Sequence, residues 1–202
     1  DAGLITPIGN WVLRQACRQA MDWPQDTTVA VNVSPVQFRQ SDLHGVVMAA
    51  LEESGLPPHR LEIEITEGVL LAETEETLAT LRRLRAAGVR IAMDDFGTGY
   101  SSLVYLQKFP FDKVKIDRSF IRNLEADPSA AAILRAILRM SQALGLRTLA
   151  EGVESAEEAE MLRQEGCEAA QGFFFAPPLP PEELARLLAQ PELVRVAQRA
   201  LL

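Results

Sequence analysis

The sequence is poor in the residues that several classes of protein depend on. Its 202 residues include two cysteines, Cys17 and Cys167. They lie far apart and match no zinc-ligand spacing, so we expect neither a zinc site nor a disulfide framework. No apolar run approaches the roughly 18 residues of a membrane span, and no signal segment opens the chain. We therefore expect a cytosolic location, although other domains of a longer parent could anchor it to a membrane.

Positive charge is also scarce. Twenty Lys and Arg stand against 28 Asp and Glu, which gives a net charge of −8. Such a balance opposes binding to the phosphate backbone of DNA or RNA, so we exclude polymeric nucleic acid as a partner. An anionic ligand would need metal ions or a local basic group. The hydrophobic fraction of 48% is that of one globular domain with a sizeable core.

Strands and helices alternate along the chain. The strands predicted from β-branched, alternating segments are 28–34, 60–67, 90–95, 113–117, 147–153 and 167–172. Each leads through a short loop into a helical pattern, so we count about six strand-helix units of an α/β fold with a parallel sheet. An open doubly wound sheet is the usual rival, but its G-x-G-x-x-G fingerprint is absent.

The predicted helices carry recognisable start and stop signals. The first is expected to begin with Thr6 as N-cap and to bury Ile8, Trp11, Val12 and Ala16. The later helices are expected at 41–55, about 73–87, near 101–108, from Asp127 to Gly145, after a capping box of Ser155 and Glu158, and at 181–189.

One polar side chain stands near the C-terminal end of most predicted strands. Neighbouring side chains alternate between the two faces of a strand, so the position of a residue along its strand decides its face. By this alternation, the polar residues of the different strands are expected to point to the same side of the sheet. They are Asn32, Glu64, Asp94, Lys115 and Glu151. In a barrel ringed by helices they would converge in one mouth, where such barrels place their active sites.

Asp94 is followed directly by Asp95 in the segment "MDDFGTGYSS". Taken alone, the pair favours a strand that ends in a turn, with a carboxylate accepting backbone N–H bonds. The shared phase of five strands favours a site instead, and clustered carboxylates with an amide suit Mg²⁺ or Mn²⁺. The Asp94–Asp95 pair would then bridge two metals, an arrangement common in phosphate-ester hydrolysis.

Six ordered motifs resemble those of a known family. "VNVSPVQF", "LEIEITE", "DDFGTGYSSL", "KIDRSFI", "AEGVE" and "QGFFFAPPLP" are similar to the successive motifs of EAL domains. The resemblance spans residue 1 to about 190. It implies a TIM-type (β/α)8 barrel and a bacterial phosphodiesterase that linearises cyclic di-GMP to pGpG.

The resemblance also implies roles for individual residues. Asn32, Glu64, Asp94 and Asp95 would ligate two divalent cations, Mg²⁺ or Mn²⁺. Glu151 would serve the second metal and the attacking water, and Lys115 would hold the water or the scissile phosphate. Three further residues match less sharply defined positions: Glu67 steadies the loop after Asp95, Glu154 is a second acidic residue of the site, and Gln171 is a polar contact at the last strand.

The chain also departs from the family pattern. The Glu-Ala-Leu motif that names the family, and whose Glu is a metal ligand, has no match here. We therefore interpret residues 1–202 as a single EAL domain that is N-terminally truncated, with about six of eight strand-helix units present. The fragment alone is expected to be impaired.

Two alternatives to catalysis by this site stay open. One is a receptor module that binds cyclic di-GMP or a partner protein without cleaving it. The other is a different metal-dependent barrel hydrolase.

The family implies a homodimer formed through the segment after Asp95, and sensory or GGDEF domains in the parent. The aromatic run 173–175 favours a core or pocket wall over a base-stacking surface, and its role is left undecided.

Overall fold

The computed structural model describes residues 3–70, 75–97, 103–122, 124 and 127–190, which belong to two compact units. The first unit comprises Asp1–Met93 and Ser101–Phe111, and the second comprises Asp94–Tyr100 and Asp112–Leu202. The elements of the first unit are α1 (Ile5–Ala20), β1 (Val29–Asn32), α2 (Pro35–Gln40), α3 (Leu43–Ser54), a 3-10 turn (Pro58–Arg60), β2 (Leu61–Thr66), α4 (Glu67–Leu70), α5 (Glu75–Ala86), the start of β3 (Arg90–Phe96) and α6 (Leu103–Lys108). The second unit contains the end of β3, β4 (Lys113–Ile116), a 3-10 turn (Arg118–Phe120), α7 (Pro128–Ala143), β5 (Arg147–Ala150), α8 (Ala156–Gln164), β6 (Ala169–Ala170) and α9 (Pro181–Leu188).

The sheet follows the order of the chain, β1-β2-β3-β4-β5-β6. Strand β1 pairs parallel with β2, β4 with β5, and β5 with β6. Parallel neighbours need a crossover between them, which the intervening helices supply. The predicted α/β architecture is therefore confirmed. Within the described ranges, no helix combines the length and apolar composition that a bilayer crossing requires.

Local signals explain most helix boundaries. The predicted capping box of α8 is present, with the Glu158 N–H donating to Ser155 Oγ at 3.1 Å. Asp127 caps α7 as predicted, through a bond from the Ser129 N–H. Helix α2 lies where only a loop was predicted, and a second capping box between Ser34 and Gln37 begins it. The predicted helices at 73–87 and 101–108 are described only from residues 75 and 103 onward.

Helix α1 differs from its prediction at its start. It begins at Ile5 after Leu4, without a side-chain cap, so the prediction of Thr6 as N-cap is wrong. The first turn tolerates Pro7 because the N–H groups there have no intrahelical partner.

The predicted buried face of α1 is wrong as well. Trp11 is 61% exposed and Ile8 52% exposed. The residues that α1 buries, against α3 and β1, are Leu13, Cys17 and Ala20. The helix therefore carries two apolar stripes, of which the Leu13 stripe forms the core contact.

A buried arginine closes the C-terminal end of α1. Arg60 is 5% exposed, and its guanidinium donates to the carbonyl oxygens of Ala20 at 2.7 Å, Thr27 at 2.8 Å and Pro24 at 3.1 Å. These carbonyls lie at and just beyond the helix end, where intrahelical donors are lacking. The Arg60 side chain thus supplies hydrogen-bond donors to the backbone carbonyl groups of the turn between α1 and β1.

Candidate active site

A buried lysine joins two carboxylates at the C-terminal ends of three strands. Lys115 of β4 places Nζ 2.8 Å from Oδ1 of Asp94, in β3, and 2.8 Å from Oε1 of Glu151, which follows β5. The lysine is 4% exposed. A charge so deeply buried is stable only when paired, and here two carboxylates share it. The structure thus brings together three of the predicted site residues.

Glu151 is held from a second direction by Gln171. The side-chain amide of Gln171 donates to Glu151 Oε1 at 2.7 Å, so this oxygen accepts bonds from both Gln171 and Lys115. The backbone fixes both residues, because the Glu151 N–H donates to Ile116 O at 3.0 Å and the Gln171 N–H to Ala150 O at 2.8 Å. The parallel ladder therefore continues past β5 and β6, although regular strand conformation ends before the predicted bounds.

The Asp94–Asp95 pair lies near the end of β3, where the backbone is strained at Asp95. Asp95 has φ of +52°, and it is the one non-glycine residue with positive φ in the described part of the chain. Its N–H donates to Asp94 Oδ1 at 3.1 Å. Aspartate tolerates this left-handed conformation better than most residues, yet such strain persists only where the surroundings impose it.

The packing around Gly97, the residue after Phe96, shows what fixes the turn at the end of β3. Gly97 has φ of +95°, and a Cβ at this position would lie 2.5 Å from the Phe120 ring. The ring of Phe120 thus packs directly on the Gly97 backbone, where only glycine fits. We infer that this contact keeps the chain after Asp95 in its turn.

Three carboxylates of this unit could hold a metal. Asp94, Asp95 and Glu151 each offer an oxygen, and these three oxygens all lie within 4.8 Å of one another. Hard carboxylate oxygens are the ligands that Mg²⁺ and Mn²⁺ prefer. The donor set therefore fits the divalent cations expected from the sequence.

The first unit contains a second pair of predicted residues. Asn32 and Glu64 are register partners on β1 and β2. Glu64 is buried while Asn32 is exposed. Glu67 is buried at the start of α4. The loop that it is expected to steady falls mostly on residues 98–102, outside the described residues, as does most of the segment expected to form the dimer contact.

Two other predicted features follow Glu151 and Gln171 in the sequence. Glu154 is exposed, and its backbone N–H donates to Glu158 Oε2 at 2.7 Å. Phe173 is 67% exposed and Phe174 39% exposed, so these two rings are not core residues, and a pocket wall stays a prediction for this run. The Phe174 N–H donates to Val153 O at 3.0 Å, which leaves the ring at the surface of the turn.

The 3-10 turn after β4 is the part of the site that sequence reasoning misses. Asp117 caps it by accepting the Ser119 N–H at 2.9 Å. Partial burial alone would raise the pKa of the Asp117 carboxyl, but the Ser119 bonds and the charge of Arg118 outweigh it, so this pKa lies below its ordinary value. An Asp two residues before a Ser N–H is an Asx-turn signal that could have located this turn.

The chain is similar to a known protein family and to several curated proteins. The family model described as EAL domain matches residues 1–178. The bifunctional diguanylate cyclase/cyclic di-GMP phosphodiesterase MucR of Pseudomonas aeruginosa is 43% identical over 191 residues, which cover 93% of this chain and 28% of MucR. An uncharacterised protein of Sinorhizobium fredii, y4lL, is 47% identical over 98% of this chain and 24% of its own length. The chain thus spans about a quarter of these curated relatives.

Solved structures show the same fold. The EAL enzyme Bd1971, in a form with cAMP and cyclic di-GMP bound, matches with a TM-score of 0.89 and 30% identity over 93% of this chain and 53% of that one. The MucR phosphodiesterase in complex with cyclic di-GMP matches with a TM-score of 0.84 and 43% identity over 90% of this chain and 75% of that one. A manganese and cyclic di-GMP complex of Klebsiella pneumoniae BlrP1 matches with a TM-score of 0.79 and 32% identity over 86% of this chain and 45% of that one.

Proposed function

Because the chain belongs to the EAL domain family, we propose that it supplies the phosphodiesterase site that hydrolyses cyclic di-GMP to linear pGpG. The observation that carries this proposal is Lys115, buried between Asp94 and Glu151 beside the strained Asp95. One relative supports the substrate in two ways, since MucR carries cyclic di-GMP phosphodiesterase in its name and has been solved with that dinucleotide.

The proposed site takes two divalent cations, Mg²⁺ or Mn²⁺. Asp94, Asp95 and Glu151 would hold them, and Asn32 and Glu64 are proposed as further ligands. When bound, such cations polarise a phosphoryl oxygen and lower the pKa of water. The BlrP1 complex with manganese and cyclic di-GMP supports this choice of cation.

Side chains of this chain would carry out the remaining steps of the hydrolysis. Glu151 accepts a proton from the attacking water, and Lys115 stabilises the negative charge that develops on the phosphate. Water adds to phosphorus while the P–O3′ bond breaks, and the departing O3′ oxygen takes up the proton that Glu151 accepted, which leaves a 5′-phosphate and a free 3′-hydroxyl in pGpG. Gln171 is proposed to orient the Glu151 carboxylate, because both it and Lys115 donate to the same oxygen. Glu67 and Glu154 are proposed to support the loop and the substrate.

Wider properties of the protein follow from the same proposal. We take residues 1–202 to be part of one EAL domain that acts as a homodimer, in a protein with sensory or GGDEF domains. A cytoplasmic location is supported by Cys17 and Cys167, which are both free and buried. Burial raises the pKa of the Cys17 thiol to about 11, so this thiol is protonated and inert near neutral pH.

The test is turnover of cyclic di-GMP by the full-length natural protein with Mg²⁺ or Mn²⁺, with pGpG identified by chromatography. Asp94→Asn should abolish turnover, because it removes a charge that both Lys115 and the metals need. Glu157→Gln, a matched carboxylate-to-amide change on the exposed face of α8, should leave turnover unchanged.

The outcome also separates the receptor alternative from catalysis. Tight binding of cyclic di-GMP without any pGpG formation would establish that alternative and refute the enzyme.

A further inference from the structure

The positive charge near the candidate active site is already committed to carboxylates. Lys115 is 4% exposed and lies within 2.8 Å of both Asp94 and Glu151. Cyclic di-GMP carries two phosphodiesters, each with one negative charge. The metals and Lys115 would act on the phosphate that is cleaved, so the other phosphate needs a different cation.

Arg118 has the position that such a cation needs. It begins the 3-10 turn three residues after Lys115, and its side chain is exposed. A Cβ at Gly152 would lie 2.7 Å from Arg118 Cβ and 3.4 Å from its Cδ. The aliphatic stem of the arginine therefore packs along the backbone of Gly152, which directly follows Glu151.

The guanidinium at the end of this stem forms no ion pair with a carboxylate among the residues that the structure describes. Two other arginines of the same unit form ion pairs: Arg135 with Glu165 at 3.0 Å and Arg163 with Glu160 at 2.6 Å. The adjacent carboxylate of Asp117 accepts the Ser119 N–H, and it interacts with the Arg118 charge without forming an ion pair with it. An exposed guanidinium that forms no ion pair with a described carboxylate keeps its N–H donors available for an anionic ligand.

We propose that Arg118 binds the phosphodiester of cyclic di-GMP that is not cleaved, an inference that rests on the proposed function. The planar guanidinium can donate two parallel N–H bonds to the two free oxygens of a phosphodiester. Gly152 contributes by leaving room for the stem, so the arginine reaches the substrate from the strand end next to Glu151.

The experiment compares Arg118→Ala, Arg118→Lys and Arg135→Ala in the full-length protein. For Arg118→Ala we expect KM for cyclic di-GMP to rise about tenfold with kcat nearly unchanged, as for loss of one charge-assisted contact made in both ground and transition states. Arg118→Lys should recover part of the affinity, because it keeps the charge but not the fork. Arg135→Ala, which removes an equally exposed arginine of α7, should behave as the native protein.

Binding without turnover gives a second readout. In a Glu151→Gln background, calorimetry should show the same loss of cyclic di-GMP affinity on adding Arg118→Ala, while titration with Mn²⁺ alone should be unchanged by it. The native KM should also rise more steeply with ionic strength than that of Arg118→Ala, because one ionic contact is missing in the variant.

The outcomes distinguish the two proposals. If the native protein neither binds nor cleaves cyclic di-GMP, the proposed function fails. If it does, an unchanged KM in Arg118→Ala overturns the role of Arg118, and a raised KM with the native salt dependence overturns the phosphate as the group it binds.

Discussion

Replacing Lys115 with Met tests the electrostatic logic of the candidate active site most directly. Met keeps the length and the apolar stem of the side chain and removes only the ammonium group. Asp94 and Glu151, whose carboxylates are each 2.8 Å from Nζ, would then face each other without a cation. In the metal-free protein this change should lower the free energy of unfolding.

The size of the effect follows from the burial of the two carboxylates. Breaking a fully buried ion pair costs about 3–5 kcal/mol. The side chains of Asp94 and Glu151 are 11% and 17% exposed, so water screens part of the repulsion. We therefore expect a loss of about 3 kcal/mol, near the lower end of that range. For a domain of this size, that loss lowers Tm by about 6–12 °C.

Divalent cations should reverse much of this loss. Mg²⁺ or Mn²⁺ bound by the same carboxylates would neutralise them in place of the ammonium. The assay is thermal unfolding of native protein and Lys115→Met with EDTA and with saturating Mn²⁺. The gain in Tm from metal should be larger for the variant. Turnover should stay low in both conditions, because the charge next to the phosphate is missing.

A matched control uses Arg147 of β5, which is exposed. Arg147→Met removes one positive charge from the same unit and should change the unfolding free energy by no more than about 0.5 kcal/mol. If Lys115→Met is as stable in EDTA as Arg147→Met, the buried ammonium does not balance the carboxylates. If Mn²⁺ raises Tm equally in the native protein and Lys115→Met, those carboxylates are not the metal ligands.

Two further predictions concern the turn after Asp95 and the 3-10 turn that Asp117 caps. Gly97→Ala, which meets the Phe120 ring, should lose about 1–3 kcal/mol and weaken Mn²⁺ binding, whereas Gly166→Ala, at φ of +83° with open space around it, should show the backbone cost alone by urea unfolding. Asp117→Ala should lose about 1 kcal/mol at neutral pH. Because the folded-state pKa of Asp117 is lowered, this difference should shrink as pH falls through that pKa, and a difference that persists in acid would contradict an ionic cap.

The sequence is sufficient to predict the meeting of Asp94, Lys115 and Glu151. Each of them ends, or directly follows, a strand of one parallel sheet, and parallel strands bring their C-terminal ends to the same edge. Alternation along each strand then selects the face. The same reasoning predicts that Asn32 and Glu64 are neighbours, and the register of β1 and β2 confirms it.

Periodicity could not decide which face of α1 is buried. Two stripes repeat at helical spacing, one through Ile8 and Trp11 and one through Leu13 and Cys17, and both satisfy the 3.6-residue period. Only the packing against α3 selects the second stripe. Composition likewise could not decide how the aromatic run at 173–175 is placed, and the structure exposes Phe173 and Phe174.

Side-chain contacts between loops also could not be predicted from the sequence. Nothing in the spacing of "KIDRSFI" shows that Phe120 packs on Gly97 or that Arg118 lies along Gly152, because both contacts join segments more than 20 residues apart. Each depends on a glycine whose missing Cβ leaves room for a neighbouring side chain. These contacts shape the turn at Asp95 and the approach to Glu151, which strand patterns alone do not specify.

The charges of the described cluster impose an order on binding. Asp94, Asp95 and Glu151 with Lys115 leave a net charge of −2 in the metal-free state, which repels a substrate that itself carries two negative charges. One divalent cation brings the cluster to neutrality, and a second makes it complementary in charge to cyclic di-GMP. Without bound cations, the adjacent carboxylates therefore oppose binding of the anionic substrate. With cations bound, the same site favours substrate binding. On this reasoning metal must bind before substrate, and the affinity for cyclic di-GMP should depend on Mn²⁺ concentration in the native protein.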